Sequence, residues 1–271
     1  MADLTPVVVG GAALTGVLGG WLVTLPAHRY KEFRPLGRRD VDAEALTAAT
    51  TTRVRAVYRT VRCGRCRHEC RTIDVAPIIS WVRGCPSCRR RMPATVVGMQ
   101  VLIPVLCVVT ALALGGSAVT IPYLWLVICG VGISVIDLRI WLIPWWMPWA
   151  LAASGFTMIV AVSLSLGIPA GIIGSLLGGL AWFALFFVVW LVSPRRIGFS
   201  DVRLALALGL FVGWLAPVLT MYAVFISSVV ALVIALASWI GGRGTRFAFG
   251  PAMVLGSLVA VWLHPALLPA S

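Results

Sequence analysis

Eight apolar runs, each close to the length that crosses a bilayer, govern what this chain can fold into. They cover about 7–25, 95–114, 121–136, 145–166, 169–192, 202–217, 219–240 and 249–267. A bilayer core takes roughly 20 apolar residues as helix, because only helices and closed barrels satisfy every backbone N–H and C=O away from water. The chain is 60% hydrophobic over 271 residues, with a mean hydropathy of +0.99. That is too apolar for a soluble globular protein. The expected fold is therefore an all-α polytopic membrane protein of about eight transmembrane helices. The third and sixth runs are short, and the stretch 202–240 is divided near Pro217. The first run has no basic residues before it and no A-x-A-like cleavage site after it, so it reads as a retained helix and not a signal peptide.

Charge is concentrated in one place. Sixteen of the 22 Lys and Arg fall between Arg29 and Arg91, beside six acidic residues, so this stretch holds ten of the thirteen net positive charges. It reads as one hydrophilic loop, 28–93, between a first transmembrane helix at 1–27 and a membrane domain at 94–271. Excess Lys and Arg mark the cytoplasmic side and suit the anionic leaflet. Nucleic acid is the other partner such charge could meet. No aromatic-rich platform for single strands accompanies it, so anionic lipid is the expected partner and nucleic acid is not. Threading the chain through eight spans from a cytoplasmic loop puts Arg139, Arg195, Arg196, Arg203, Arg243 and Arg246 all at cytoplasmic ends. No Lys or Arg is left outside, and both termini are expected outside the cytoplasm. In GIIGSLLGG (171–179), Gly174 and Gly178 have the spacing of close helix packing.

After residue 93 the chain holds only two acidic residues, Asp137 in VIDLRIWLIP and Asp201 in GFSDVRLALALG. Each falls at the cytoplasmic end of a run. A carboxylate there is costly and marks function by default. Local pairing, Asp137 with Arg139 and Asp201 with Arg203, is the plainer alternative. Two on one side of the membrane, with no other acid in the domain, point to a pair. Like charges a few ångströms apart cannot both ionise, so the two carboxyls share a proton. One acts as base on a water while the other, protonated, polarises a peptide carbonyl. The titration belongs to the pair. Asp137 and Asp201 are the candidate catalytic residues.

The basic loop carries CGRCRHECRTIDVAPIISWVRGCPSC. Cys63 and Cys66 form one CxxC, and Cys85 and Cys88 another, at the spacing of a four-cysteine zinc site. Four thiolates close a tetrahedral structural site with no open position. A cytoplasmic loop is reducing, which disfavours disulfides. Zinc would organise a loop too polar to build much core of its own. His68 and Cys70 are spare ligands in the same loop. Cys107 and Cys129 fall in apolar runs and read as small core residues.

Together these motifs resemble the type IV prepilin leader peptidases, the bacterial prepilin peptidase/N-methyltransferase family of GxGD-type membrane aspartic peptidases. In that family one aspartate precedes an IP and the second sits in G-x-G-D-[VI]-[KR]-L. Here Asp137 precedes Ile143-Pro144, and Asp201 sits in Gly198-Phe199-Ser200-Asp201-Val202-Arg203-Leu204. FAFGPAMVLG (247–256) is similar to the family's late PFGPFLALG. Ala76-Pro77-Ile78-Ile79-Ser80-Trp81, then Gly84, is similar to the segment between its two CxxC pairs. Ser200 stands at the motif's second glycine, Trp145 where an acid follows the IP, and Gln100 near the place of a glutamate beyond the second CxxC. The early segment is echoed by GGWLVTLPAHR (19–29) without its asparagine.

The resemblance implies an endopeptidase of the bacterial cytoplasmic membrane. It would cut the basic leader from type IV prepilins or pseudopilins at the cytoplasmic face, with Asp137 and Asp201 as catalytic pair. Bifunctional members also N-methylate the new N-terminus from S-adenosylmethionine, which would make that a second cofactor beside zinc. Two readings of other classes are carried alongside. One is a non-catalytic pilus or secretion assembly factor descended from such a peptidase. The other is a transporter using the aspartates as an ion or proton relay, although no inverted repeat is visible.

Overall fold

The computed structural model describes residues 5–29, 60–62, 66, 68–71, 83–89, 94–140, 143–193, 197–240 and 248–267. Among the described residues, eight helices stand where the eight apolar runs predict them. They are α1 Thr5–Arg29, α2 Ala94–Ala113, α3 Thr120–Ile140, α4 Trp146–Ser165, α5 Ala170–Val192, α6 Phe199–Leu215, α7 Leu219–Ile240 and α8 Gly250–Trp262. A single turn, α9 His264–Leu267, follows α8. Chain neighbours from α2 to α7 run antiparallel, with short connections at 114–119, 166–169 and 216–218. Gly167, at φ +68, closes the turn between α4 and α5 in a conformation that L side chains avoid.

Helix ends follow local chemistry, and one of them departs slightly from the sequence reading. The break expected near Pro217 falls at 216–218, where the proline cannot continue a helix. Helix α6 starts at Phe199 and not 202, because Gly198 caps it in extended backbone (φ −76, ψ 143). A two-stranded antiparallel ribbon, β1 Thr60–Arg62 with β2 Glu69–Arg71, adds strand that the all-helical expectation lacked. It rests against α1.

Five helices are long and apolar enough to cross a membrane, counted over the described residues: α1, α3, α4, α5 and α7. Helices α6 and α8, at 17 and 13 residues, are only about 26 and 20 Å long at 1.5 Å per residue. They are mostly covered by their neighbours, however. Eleven residues of α6 and nine of α8 are buried, which makes these two the centre of the bundle. The outer helices α5 and α7 present the lipid-facing surface. Leu176, Leu180 and Leu191 of α5 and Phe225, Leu232 and Leu236 of α7 are all exposed.

Small residues set the tightest contact. A Cβ added at Gly174 would come 2.7 Å from the Gly213 carbonyl oxygen. One at Gly178 would come 2.6 Å from Gly213 Cα and 2.7 Å from the Gly209 oxygen. Helices α5 and α6 therefore touch backbone to backbone, as the GxxxG spacing predicts. The Ser175 hydroxyl donates across this seam to the Leu210 carbonyl at 2.7 Å.

Helix α3 is tied to α6 by the fully buried Tyr123. Its hydroxyl donates to the Phe211 carbonyl at 2.8 Å, and its ring stacks on Trp214. Tyr123→Phe removes this bond and nothing else. It is expected to lower stability by about 1 kcal/mol, read as the denaturation midpoint in detergent micelles.

Candidate active site and metal site

The Tyr123 bond fixes where both aspartates stand. From it, Asp137 lies 14 residues further along α3 and Asp201 lies ten residues back along the antiparallel α6. At 1.5 Å per residue these are displacements of about 21 and about 15 Å in one direction. The two carboxylates thus arrive at the same end of the helical core.

A bridge of rings carries the same placement independently. Phe199, in the first turn of α6, packs on Phe187 and Trp190 of α5, with centroids 6.5 and 5.0 Å away. Phe249, which caps α8, packs on Phe186 of the same helix at 5.7 Å. The starts of α6 and α8 therefore rest on adjacent residues of α5. Sequence reasoning had no signal for this bridge, because an aromatic in a membrane helix is ordinarily a lipid or core residue.

Asp137 is buried, with 5% of its surface exposed, in the last turn of α3. Its Oδ2 accepts the backbone N–H of Gly250 at 2.9 Å. Gly250 opens α8, so the carboxylate meets the end of that helix where N–H groups lack internal partners and the dipole favours negative charge. Ile143, of the Ile143-Pro144 element, is buried against the same spot.

Asp201 is half-buried in the first turn of α6. Its Oδ2 accepts the N–H of Gly198 at 3.2 Å, capping the helix it belongs to. Arg203 lies with its guanidinium over the Phe199 ring, 4.7 Å from the centroid. The Arg139 side chain lies outside the described residues. Ser200 occupies ordinary helical backbone; Arg89 is the one non-glycine residue at positive φ among those described. Serine at that motif position therefore costs no backbone strain.

Of the four sequence-predicted metal ligands, Cys66, Cys85 and Cys88 converge. Their sulfurs all lie within 4.8 Å of one another, and Cys66 and Cys85 are 3.6 Å apart. Tetrahedral zinc with Zn–S near 2.3 Å separates its sulfurs by about 3.8 Å, so the spacing fits. Cys63 lies outside the described residues. Backbone geometry shapes the second half of the site. Gly84 takes φ +64, and the Arg89 N–H closes the turn on the Cys85 carbonyl at 2.8 Å. Of the spare ligands, His68 is exposed beside β2, which contains Cys70. Cys107 is fully buried in the core, as its apolar run predicts. Gln100 is buried where α2 meets Gly20 of α1.

Comparison with known proteins shows what the chain is similar to. Residues 123–236 match the model of the type IV leader peptidase family. That range contains Asp137 and Asp201 and runs from the first turn of α3 through most of α7. The chain is similar to proteins named prepilin leader peptidase/N-methyltransferase. It is 26% identical to the one from Dichelobacter nodosus, over 74% of this chain and 69% of that protein. It is 29% identical to the one from Aeromonas salmonicida, over 57% of this chain and 54% of that protein. It is 24% identical to the one from Pectobacterium carotovorum subsp. carotovorum, over 84% of this chain and 82% of that protein. The chain thus spans about half the length of some of these relatives and most of others. No solved structure matches it.

Proposed function

We infer that this chain, a member of the type IV leader peptidase family over residues 123–236, is an inner-membrane aspartic endopeptidase. It cuts leaders from type IV prepilins or pseudopilins at the cytoplasmic face, with Asp137 and Asp201 as its catalytic pair. The observation that carries this reading is the convergence of the two acids of α3 and α6 on one end of the core. The substrate would be a short basic leader continuing into a hydrophobic helix. The loop 28–93 faces the cytoplasm and anionic lipid in this reading, with the first helix at 1–27, the peptidase domain at 94–271 and both termini outside. Ser200, at the motif's second glycine, sits in unstrained helix and gives the non-catalytic alternative no support.

The chemistry balances within the pair. One carboxylate takes a proton from water as the water oxygen adds to the scissile carbonyl carbon. The other carboxyl gives its proton to the carbonyl oxygen. The tetrahedral carbon then expels the amine. The nitrogen takes its proton from the first carboxyl, and the second recovers one from the diol. One water is consumed and the pair ends with the single proton it began with. The test is leader cleavage of a co-reconstituted prepilin by wild type and by Asp201→Asn, read from the N-terminus of the product.

Zinc is the proposed occupant of the cysteine site, with Cys63 completing the set of Cys66, Cys85 and Cys88. Its role is to cross-link the two CxxC turns of the loop. Elemental analysis of the purified chain is expected to give about one zinc per chain, and Cys85→Ser to lose it. Protease nicking between residues 60 and 89 should rise severalfold in that variant. Metal-free wild-type protein resisting proteolysis as well as the loaded form would contradict the assignment. N-methylation from S-adenosylmethionine is supported by the names of the relatives alone, and a mass gain of one methyl on the mature product would establish it.

A further inference from the structure

We propose that Gly250 is a positioning residue of the catalytic pair: its backbone N–H holds one oxygen of Asp137, and its lack of a side chain lets α8 come close enough to do so. The inference rests on the reading of Asp137 as catalytic.

Three observations carry it. The Gly250 N–H donates to Asp137 Oδ2 at 2.9 Å, and this bond is buried. It joins residues 113 apart in the chain, so local structure does not impose it. A Cβ on Gly250 would stand 2.7 Å from that same oxygen and 3.2 Å from Ile143 Cδ1. The carboxylate therefore occupies the space that any other residue's side chain would need. Gly250 is itself fixed from two sides. Phe249 packs on Phe186 of α5, and proline follows at 251, where a missing N–H costs a helix start nothing. The start of α8 is thus a rigid donor aimed at one member of the pair.

The bond does two things for a shared-proton mechanism. It fixes the plane of the Asp137 carboxyl, which sets where its second oxygen can meet water. It also makes the two oxygens of Asp137 inequivalent, because an N–H donor favours a lone pair and not a proton at Oδ2. The charged side chains that the sequence places at this end, on elements packed against α3, are few. They are Asp201 and Arg203 of α6, Arg139 of α3 itself and Arg29 of α1, beside His28; α2, α4 and α8 carry none.

The test compares two changes at this position in the full chain, reconstituted in vesicles of bacterial lipid with a cleavable prepilin. Gly250→Ala adds the Cβ. Gly250→glycolate replaces the N–H by oxygen and adds no atom, so it keeps the fold if alanine does not. Both are expected to lower kcat at least tenfold with KM within about twofold, since a distant group that orients the reacting atoms acts on the chemical step. Both should also displace the pH–kcat profile along the pH axis. Loss of folded enzyme alone would scale that profile without moving it. Ile143→Val, which removes the Cδ1 crowding position 250, should recover part of the alanine loss. A glycolate variant with wild-type kcat, or a profile that superposes after scaling, would overturn the proposal. Asp137→Asn in the same vesicles separates the two levels: wild-type cleavage there would remove the catalytic reading itself.

Discussion

Asp137→Asn and Asp201→Asn are each expected to reduce leader cleavage by at least about 10³-fold, and the double variant to be no worse than either single one. The magnitude follows from the division of labour. General acid–base assistance is worth about 10²–10⁴ per group, and here each carboxyl depends on the other to hold or release the shared proton. Groups that work as a unit are non-additive, so the second substitution removes little that the first left. Asparagine at 137 can still accept the Gly250 N–H, which keeps the packing at the start of α8. A residual rate well above background in both single variants, with a multiplicative loss in the double, would mean two independent contributions and no shared proton.

The second large effect lies far from the chemistry. Gly178→Leu and Gly213→Leu are expected to cost at least about 3 kcal/mol each and to leave little monodisperse protein after extraction in detergent. A Cβ at Gly178 meets the Gly213 Cα at 2.6 Å, and one at Gly213 meets the Gly174 oxygen at 2.5 Å. Both obstacles are backbone, so no rotamer change relieves them. Separating the helices would break the Ser175 bond to Leu210 and pull Phe199 off Phe187 and Trp190. Cleavage is therefore lost together with the fold. Gly98→Leu is the matched control, since a Cβ there meets nothing within 4 Å. Equal yields from the Gly178, Gly213 and Gly98 variants would show that the close approach of α5 and α6 is not required.

What could be read ahead of the structure follows a physical divide. The bilayer imposes length and apolarity on each span, so helix positions are written in local sequence and all eight were found. The glycine seam was legible for the same reason, because a four-residue repeat puts small residues on one face. Asp137 and Asp201 stood out because carboxylates are costly in such segments. The Cys66, Cys85 and Cys88 cluster was legible from its spacing. Other features depend on contacts between distant residues. Gly250 stood out only as part of FAFGPAMVLG, without a function of its own, and only the return of α8 against α3 gives it a role. The ring bridge from Phe186 and Phe187 to Phe249 and Phe199 was hidden for the same reason. The ribbon of β1 and β2 has three residues to a strand, too short for a periodic pattern to register.

The most direct measurement is the intact mass and N-terminal sequence of a prepilin incubated with the purified chain in lipid vesicles, in parallel with the Asp137→Asn/Asp201→Asn double variant. The account predicts a product that has lost its basic leader with wild type, and full-length prepilin alone with the double variant. Equal cleavage at the same bond by both proteins would contradict it.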